Sequence, residues 1–169
     1  MHPLVKLAKD TVELYVKQGR IFEPREDGLP PELRQRAGVF ICLKIRGELR
    51  GCIGTFQPAE PDIAHETVRN AVSAATCDPR FACVRSDELD DIEYTVDVLT
   101  QPEKVAGRDE LDPRRYGVIV QAGGRRGLLL PDLEGVDTAD QQIGIAMHKA
   151  GIRPGTPVEL LRFEVKRFT

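Results

Sequence analysis

Two residues in this 169-residue chain pair a nucleophile with a charge that would activate it. They are Cys52 and Arg50, within the stretch Leu49-Arg50-Gly51-Cys52-Ile53-Gly54-Thr55. A nearby guanidinium lowers a thiol's pKa, and the thiolate is the nucleophilic form. Gly51 and Gly54 thin the backbone beside them, and glycine inside a strand commonly marks a bulge or the close approach of a ligand or another backbone. The competing reading is that Cys52 is a small buried hydrophobe, since free cysteine is among the most buried residue types.

Positioning this pair falls to Gly38 to Phe56, which reads as two strands joined at Ile45-Arg46-Gly47. A three-residue loop, a type I turn followed by Gly47 in the left-handed region, sets Lys44 opposite Glu48. Opposed residues of an antiparallel pair share a face. This register therefore groups Val39, Ile41 and Leu43 with Leu49, Gly51 and Ile53 on an apolar face. Phe40, Cys42 and Lys44 join Glu48, Arg50, Cys52 and Gly54 on the other. A two-residue loop mixes the two sets. Arg50 and Cys52 are thus expected together on the face away from the core.

The LRGCIGT stretch, Leu49 to Thr55, resembles the signature of the AMMECR domain family, known in prokaryotes as AmmeMemoRadiSam system protein A. Further matches are Gly38-Val39-Phe40, Asn70-Ala71, Asp78-Pro79-Arg80-Phe81, Leu99-Thr100, Gly127 to Pro131 and Lys149-Ala150-Gly151. The resemblance implies two lobes with a groove lined by the signature strand. It also implies association with a Memo-like protein and a radical S-adenosylmethionine protein, but it brings no defined reaction. Cys52 is then a candidate nucleophile or carrier thiol, and Arg50 its activator or an anion clamp. Gly51, Gly54, Thr55, Asn70, Asp78 and Arg80 are candidate ligand-binding positions. For Asn70 the roles are bracing a loop or touching a ligand. Asp78 and Arg80 either anchor the turn that ends a helix, or Arg80 joins Arg50 as a two-arginine clamp for a carboxylate or phosphate. Many relatives carry a longer region before the last helix, a cysteine near the position of Met147 and a tryptophan soon after; this chain has no tryptophan.

Composition narrows the classes. A net charge of -3, from 24 basic and 27 acidic residues, argues against a nucleic-acid binder that works by phosphate neutralisation. The cysteines, at 42, 52, 77 and 83, form no C-x-x-C, and there are no paired histidines. No metal or cofactor is therefore expected. A Cys-His dyad is also disfavoured, because only His2, His65 and His148 are present and none matches the family's motifs. No apolar run approaches the ~18 residues of a membrane span, and the charged start does not read as a signal peptide. A cytoplasmic protein with reduced thiols is expected.

Around the hairpin the pattern is mixed. Pro3 to Gln18 reads as an amphipathic helix stopped by Gly19, and Arg20 to Ala37 as a proline-rich connector. A second helix runs from about Asp62 to Thr76 and is ended by Asp78-Pro79. Ile63, Ala64, Thr67, Val68, Ala71, Val72 and Ala75 form its apolar stripe, with His65, Glu66, Arg69 and Asn70 pointing elsewhere. Ile92 to Thr100 alternates as a strand whose Glu93 and Asp97 would share the open face with Arg50 and Cys52. Tyr116 to Leu130 is a hairpin turning at Gly123-Gly124. Thr138 to Ala150 is a helix opened by a capping box with Gln141. Val158 to Phe168 reads as a strand returning to the main sheet.

The fold expected is α+β with mostly antiparallel sheets. It forms a single AMMECR-type domain, with a larger lobe of residues 1–100 plus 156–169 and a smaller lobe of residues 101–155. Two functions fit: a small-anion-binding or enzymatic component using Cys52, or a non-catalytic interaction or regulatory module.

Overall fold

The computed structural model describes residues 1–25 and 30–169. The chain divides into two compact units, Met1–Leu99 with Lys166–Thr169, and Thr100–Val165. The fold is α+β, built on two four-stranded antiparallel sheets.

In the first unit, helix α1 (Pro3–Gln18) opens with proline, whose missing N–H costs nothing in a first turn, and ends at Gly19 with φ 66°. Helix α2 (Ile63–Thr76) starts at Asp62, whose carboxylate accepts the N–H of His65 at 2.8 Å, and stops at Cys77. Strands β1 (Val39–Ile45), β2 (Glu48–Thr55), β3 (Ile92–Leu99) and β8 (Val165–Phe168) lie in the order β2-β1-β3-β8. Both helices pack on one face of this sheet. Leu4, Val5, Ala8 and Val12 of α1 meet Ala71, Ala74 and Ala75 of α2 over Val39, Ile41, Leu43, Val96 and Val98. Of the connector expected over Arg20 to Ala37, residues 26–29 lie outside the described residues, and Pro31–Arg34 form a 3-10 turn that buries Leu33.

The central hairpin differs from expectation in its turn. Ile45 pairs with Glu48, so the loop has two residues, Arg46 and Gly47, with φ 53° and 80°. Two positive-φ residues give the primed turn whose twist matches that of the strands. The register then shifts between Leu43 and Lys44: Lys44 pairs with Leu49, but Leu43 with Gly51, leaving Arg50 as the extra residue of a bulge. The bulge cancels the one-residue offset of the shorter turn. Gly51 and Ile53 consequently share the core face, and Cys52 and Gly54 the other, as the alternation requires. Leu49, on the turn side of the bulge, is 38% exposed and leaves the core face expected for it.

In the second unit, β4 (Glu103–Val105), β5 (Gly117–Ala122), β6 (Arg125–Leu129) and β7 (Glu159–Phe163) lie in the order β4-β7-β5-β6. Helix α3 (Ala139–Lys149) has the expected capping box: Gln141 N–H donates to Thr138 Oγ1 at 3.2 Å, and Thr138 N–H to Gln141 Oε1 at 3.0 Å. It packs Ile143, Ala146 and Met147 on Val118, Val120 and Leu129. The segment expected as one terminal strand is two. β7 pairs with β4 and β5, whereas β8 belongs to the first sheet. The break falls at Glu164, whose N–H donates to Thr100 Oγ1 at 2.8 Å and whose carbonyl accepts the Thr100 N–H at 2.9 Å.

Candidate functional site

The bulge decides what faces Cys52. Its direct cross-strand partner is Cys42. β2 is an edge strand, and the Cys52 N–H points away from β1 to Asp78 Oδ2 at 2.9 Å. Cys42 and Cys52 are therefore a non-hydrogen-bonded pair, the kind in which opposed side chains lie closest. The two thiols share a hydrogen bond, and both are partly exposed. Across β1, Cys42 pairs with Thr95, and the neighbouring row is Gly54, Phe40 and Asp97. Asp97 is buried and holds Arg167 of β8 through two bonds of 2.8 Å.

Asp78 and Arg80 complete this region. The Asp78 side chain is only 2% exposed. Besides the Cys52 N–H it accepts the Arg80 N–H at 3.0 Å and grips the Arg80 guanidinium at 3.0 and 2.7 Å. The two positions thus anchor the turn after α2, and in doing so they fix a 55% exposed arginine to the backbone of Cys52. Asp78 takes two of the guanidinium's five N–H groups. The Arg80 guanidinium also rests 5.6 Å from the centre of the Phe81 ring, and that of Arg50 lies 6.0 Å from it.

Arg50 itself is occupied elsewhere. Its fork is bidentate to Glu88 at 2.7 and 2.9 Å, and it donates to the carbonyls of Ala82 at 2.9 Å and Cys83 at 3.2 Å. It ties the bulge of β2 to the segment running into the 3-10 turn Ser86–Asp91. The spaces left by the glycines are likewise filled: a Cβ on Gly51 would strike the Ala74 carbonyl of α2, and one on Gly54 the Phe40 ring. Thr55 and Asn70 form a separate network. Asn70 donates to the Val39 carbonyl at 2.9 Å and to Thr55 Oγ1 at 3.0 Å, and Thr55 donates to Glu66. Glu66, fully buried, also accepts the N–H groups of Ala59 and Glu60 at 2.8 Å each. That carboxylate, set apart from the apolar stripe in the sequence, is buried at the end of β2.

The net effect of the surroundings on the two thiols is opposite. Cys42 is lowered to about 7, foremost by the hydrogen bond from Cys52 and further by Lys44 and Arg167, against burial and Asp97. The Cys52 thiol is pushed up, first by that hydrogen bond, then by burial and by Cys42's charge, with Arg80 opposing. The pair gives up one proton near neutrality and keeps the second. Arg80 holds the Asp78 carboxyl well below the usual carboxylate range, and Arg50 lowers that of Glu88. Among the described residues, no group of three or more His, Cys, Asp or Glu is placed to hold a metal ion, and no helix is long and apolar enough to cross a membrane.

The structure therefore brings Cys52, Asp78 and Arg80 together, and sets Arg50, Thr55 and Asn70 into contacts that hold β2 in place. Sequence reasoning missed Cys42 and Lys44 as members of the site. Both stood on the expected face, but a partner assignment displaced by two positions put Arg50 opposite Cys42.

Comparison with known proteins agrees over the whole of this architecture. A Thermotoga maritima protein is 53% identical over 170 residues, covering 99% of this chain and 97% of that protein. A Clostridium acetobutylicum protein is 48% identical over 98% of this chain, which spans only 35% of that longer protein. The crystal structure of an uncharacterized protein from Pyrococcus horikoshii superposes with a TM-score of 0.85 at 34% identity, covering 97% of this chain and 88% of that one. With the AMMECR1 family profile matching residues 5–169, from the first helix to the last strand, the chain belongs to the AMMECR1 family.

Proposed function

We propose that this protein binds a small anion, a carboxylate or phosphate, at the thiol pair on the open face of its first sheet, and that Cys42 and Cys52 are the reactive groups of that site. One observation carries the reading. The buried Asp78 carboxylate joins the Cys52 backbone to the exposed Arg80 guanidinium, so a planar cationic donor is held beside two thiols. Lys44 adds a second cation at Cys42. Guanidinium N–H groups match carboxylate and phosphate oxygens, and a thiol that deprotonates near neutrality is available as a nucleophile or carrier. Asp78 and Arg80 thereby act as one unit, and Cys42 replaces Arg50 as the group that sets the thiol's ionisation.

Iodoacetate and iodoacetamide test this directly, because they alkylate the same sulfur and differ in charge. At Cys42 the anionic reagent should be favoured relative to its neutral counterpart, compared with the same ratio at the exposed Cys77 and Cys83. Salt and Arg80→Gln should both reduce the preference. An identical ratio at all cysteines, unmoved by Arg80→Gln, would end the anion-site reading.

The Clostridium relative, in which the matching region is about a third of the protein, favours a second reading: a module that serves a larger assembly. The Memo-like and radical S-adenosylmethionine proteins are the partners the family resemblance supplies. Co-purification with either, retained in a Cys42→Ala/Cys52→Ala variant, would support the module over the thiol site.

A further inference from the structure

We propose that Cys42 and Cys52 form a thiol–disulfide exchange site, which reacts with a low-molecular-weight disulfide to close a cross-strand disulfide between β1 and β2. The inference stands on the register of the hairpin and does not require Arg80 to bind an anion.

Geometry carries it. The two cysteines are direct partners, and the outward Cys52 N–H makes them a non-hydrogen-bonded pair. Such pairs hold their Cα atoms about 4.5 Å apart, at the short end of the roughly 4.4–6.8 Å that a disulfide spans. That spacing is within the reach of a disulfide. A disulfide at the edge of the allowed geometry, partly open to solvent, is of the readily reduced kind. Neither thiol is locked into other chemistry: each is hydrogen-bonded to the other. Cys77 and Cys83 instead contact Thr76, through its hydroxyl at 3.3 Å and its carbonyl at 3.5 Å.

The steps balance as two successive displacements. The Cys42 thiolate attacks one sulfur of the small disulfide RSSR, forming Cys42–S–S–R and releasing RS⁻. The Cys52 thiol then passes its proton to RS⁻ or water, and its sulfur attacks Sγ of Cys42, expelling the second RS⁻. Two protein thiols are oxidised and one RSSR is reduced to two RSH. The division of labour follows the electrostatics: Cys42 is the thiol that ionises near neutrality, and Cys52 is the one that keeps its proton until the mixed disulfide removes its neighbour's charge. At pH 7 a thiol of pKa about 7 is half ionised, against about 3% for one of pKa ~8.5. Lower intrinsic nucleophilicity offsets part of this, leaving Cys42 about 3- to 4-fold faster than an ordinary thiol.

The experiment is incubation of the reduced protein with oxidised glutathione, followed by blocking of free thiols and tryptic peptide mapping without reduction. Lys44, Arg46 and Arg50 lie between the two cysteines, and Arg69 and Arg80 isolate the peptides of Cys77 and Cys83, so every pairing is read separately. The expected product is a cross-link between peptides 37–44 and 51–69, lost on adding reduced glutathione. Cys52→Ser should accumulate a stable mixed disulfide at Cys42. Cys42→Ser should leave Cys52 largely reduced. Circular dichroism of each variant checks its fold, and the wild-type cross-link stands without them. The proposal is overturned if the wild type yields only mixed disulfides, if cross-links involving Cys77 or Cys83 dominate, or if a folded Cys52→Ser fails to trap glutathione at Cys42. Reagent-charge preference at Cys42 is a separate readout, so failure here leaves the anion site standing, and the reverse.

Discussion

Replacing Arg50 by leucine separates an arginine that activates a thiol from one that holds a strand. In the structure its guanidinium makes a bidentate pair with Glu88 and reaches two carbonyls, with side-chain exposures of 16% for Arg50 and 24% for Glu88. Each carbonyl bond contributes about 1 kcal/mol. The ion pair lies between an exposed one, at ~0–1 kcal/mol, and a buried one, whose breaking costs ~3–5 kcal/mol, so about 2 kcal/mol is a fair share. These contributions are not strictly additive, and a loss of ~3 kcal/mol is expected on the scale of these interactions. At roughly 2–4 °C per kcal/mol for a chain of this size, the Tm should fall by about 6–12 °C. Arg50→Lys should recover less than half of this, because an ammonium cannot span both oxygens of Glu88 and the carbonyls together. Site-resolved alkylation at 25 °C, well below either Tm, should show Cys42 and Cys52 changing less than about twofold, the size of a small environmental effect on pKa. If alkylation of either thiol slows severalfold while the Tm stays put, Arg50 acts on the thiols and the strand-holding account is mistaken.

Three other perturbations follow from the same contacts. Glu66→Ala leaves the N–H groups of Ala59 and Glu60 and the Thr55 hydroxyl without their acceptor in a buried place, and chemical denaturation should show a loss of ~3 kcal/mol or more. Gly51→Ala forces a methyl against the Ala74 carbonyl and should destabilise by ~1–3 kcal/mol, whereas Gly144→Ala, in α3 with nothing within 4 Å, should stabilise by about 0.5–1 kcal/mol; equal effects at the two positions would refute the packing argument. Asp78 and Glu88 have folded-state pKa values below their unfolded ones, so the stability they confer is complete above about pH 4–5 and lost as pH falls through the folded values. Asp78→Asn should therefore flatten the acid limb of a stability–pH profile, and an unchanged limb would show that the Arg80 and Cys52 contacts do not persist in solution.

What the sequence by itself determined is whatever depends on neighbours along the chain. The Thr138/Gln141 capping box, the stop at Gly19, the helix end before Asp78-Pro79 and the alternation of Ile92 to Leu99 are short-range steric and hydrogen-bonding choices, and each is found where the residues require it. The long LRGCIGT stretch was enough to indicate the family. Tertiary structure alone decided partners. Arg50 and Glu88 are 38 residues apart, and nothing local distinguishes a guanidinium that meets a carboxylate from one that faces a thiol. The turn illustrates the same limit. Alternation demanded that Gly51 and Ile53 share a face with Ile41 and Leu43, a condition that a three-residue loop meets directly and a two-residue loop meets only through a bulge. Both solutions preserve the pattern, so periodicity cannot choose between them; the twist of the paired strands and the α2 backbone lying over Gly51 can. That choice moved the partner of Cys52 by two residues, from Phe40 to Cys42, and so set a thiol opposite a thiol. At the other end of the chain, Val158 to Phe168 has one continuous apolar rhythm. Only the hydrogen bonds between Thr100 and Glu164 and the edges available in two different sheets divide it into β7 and β8.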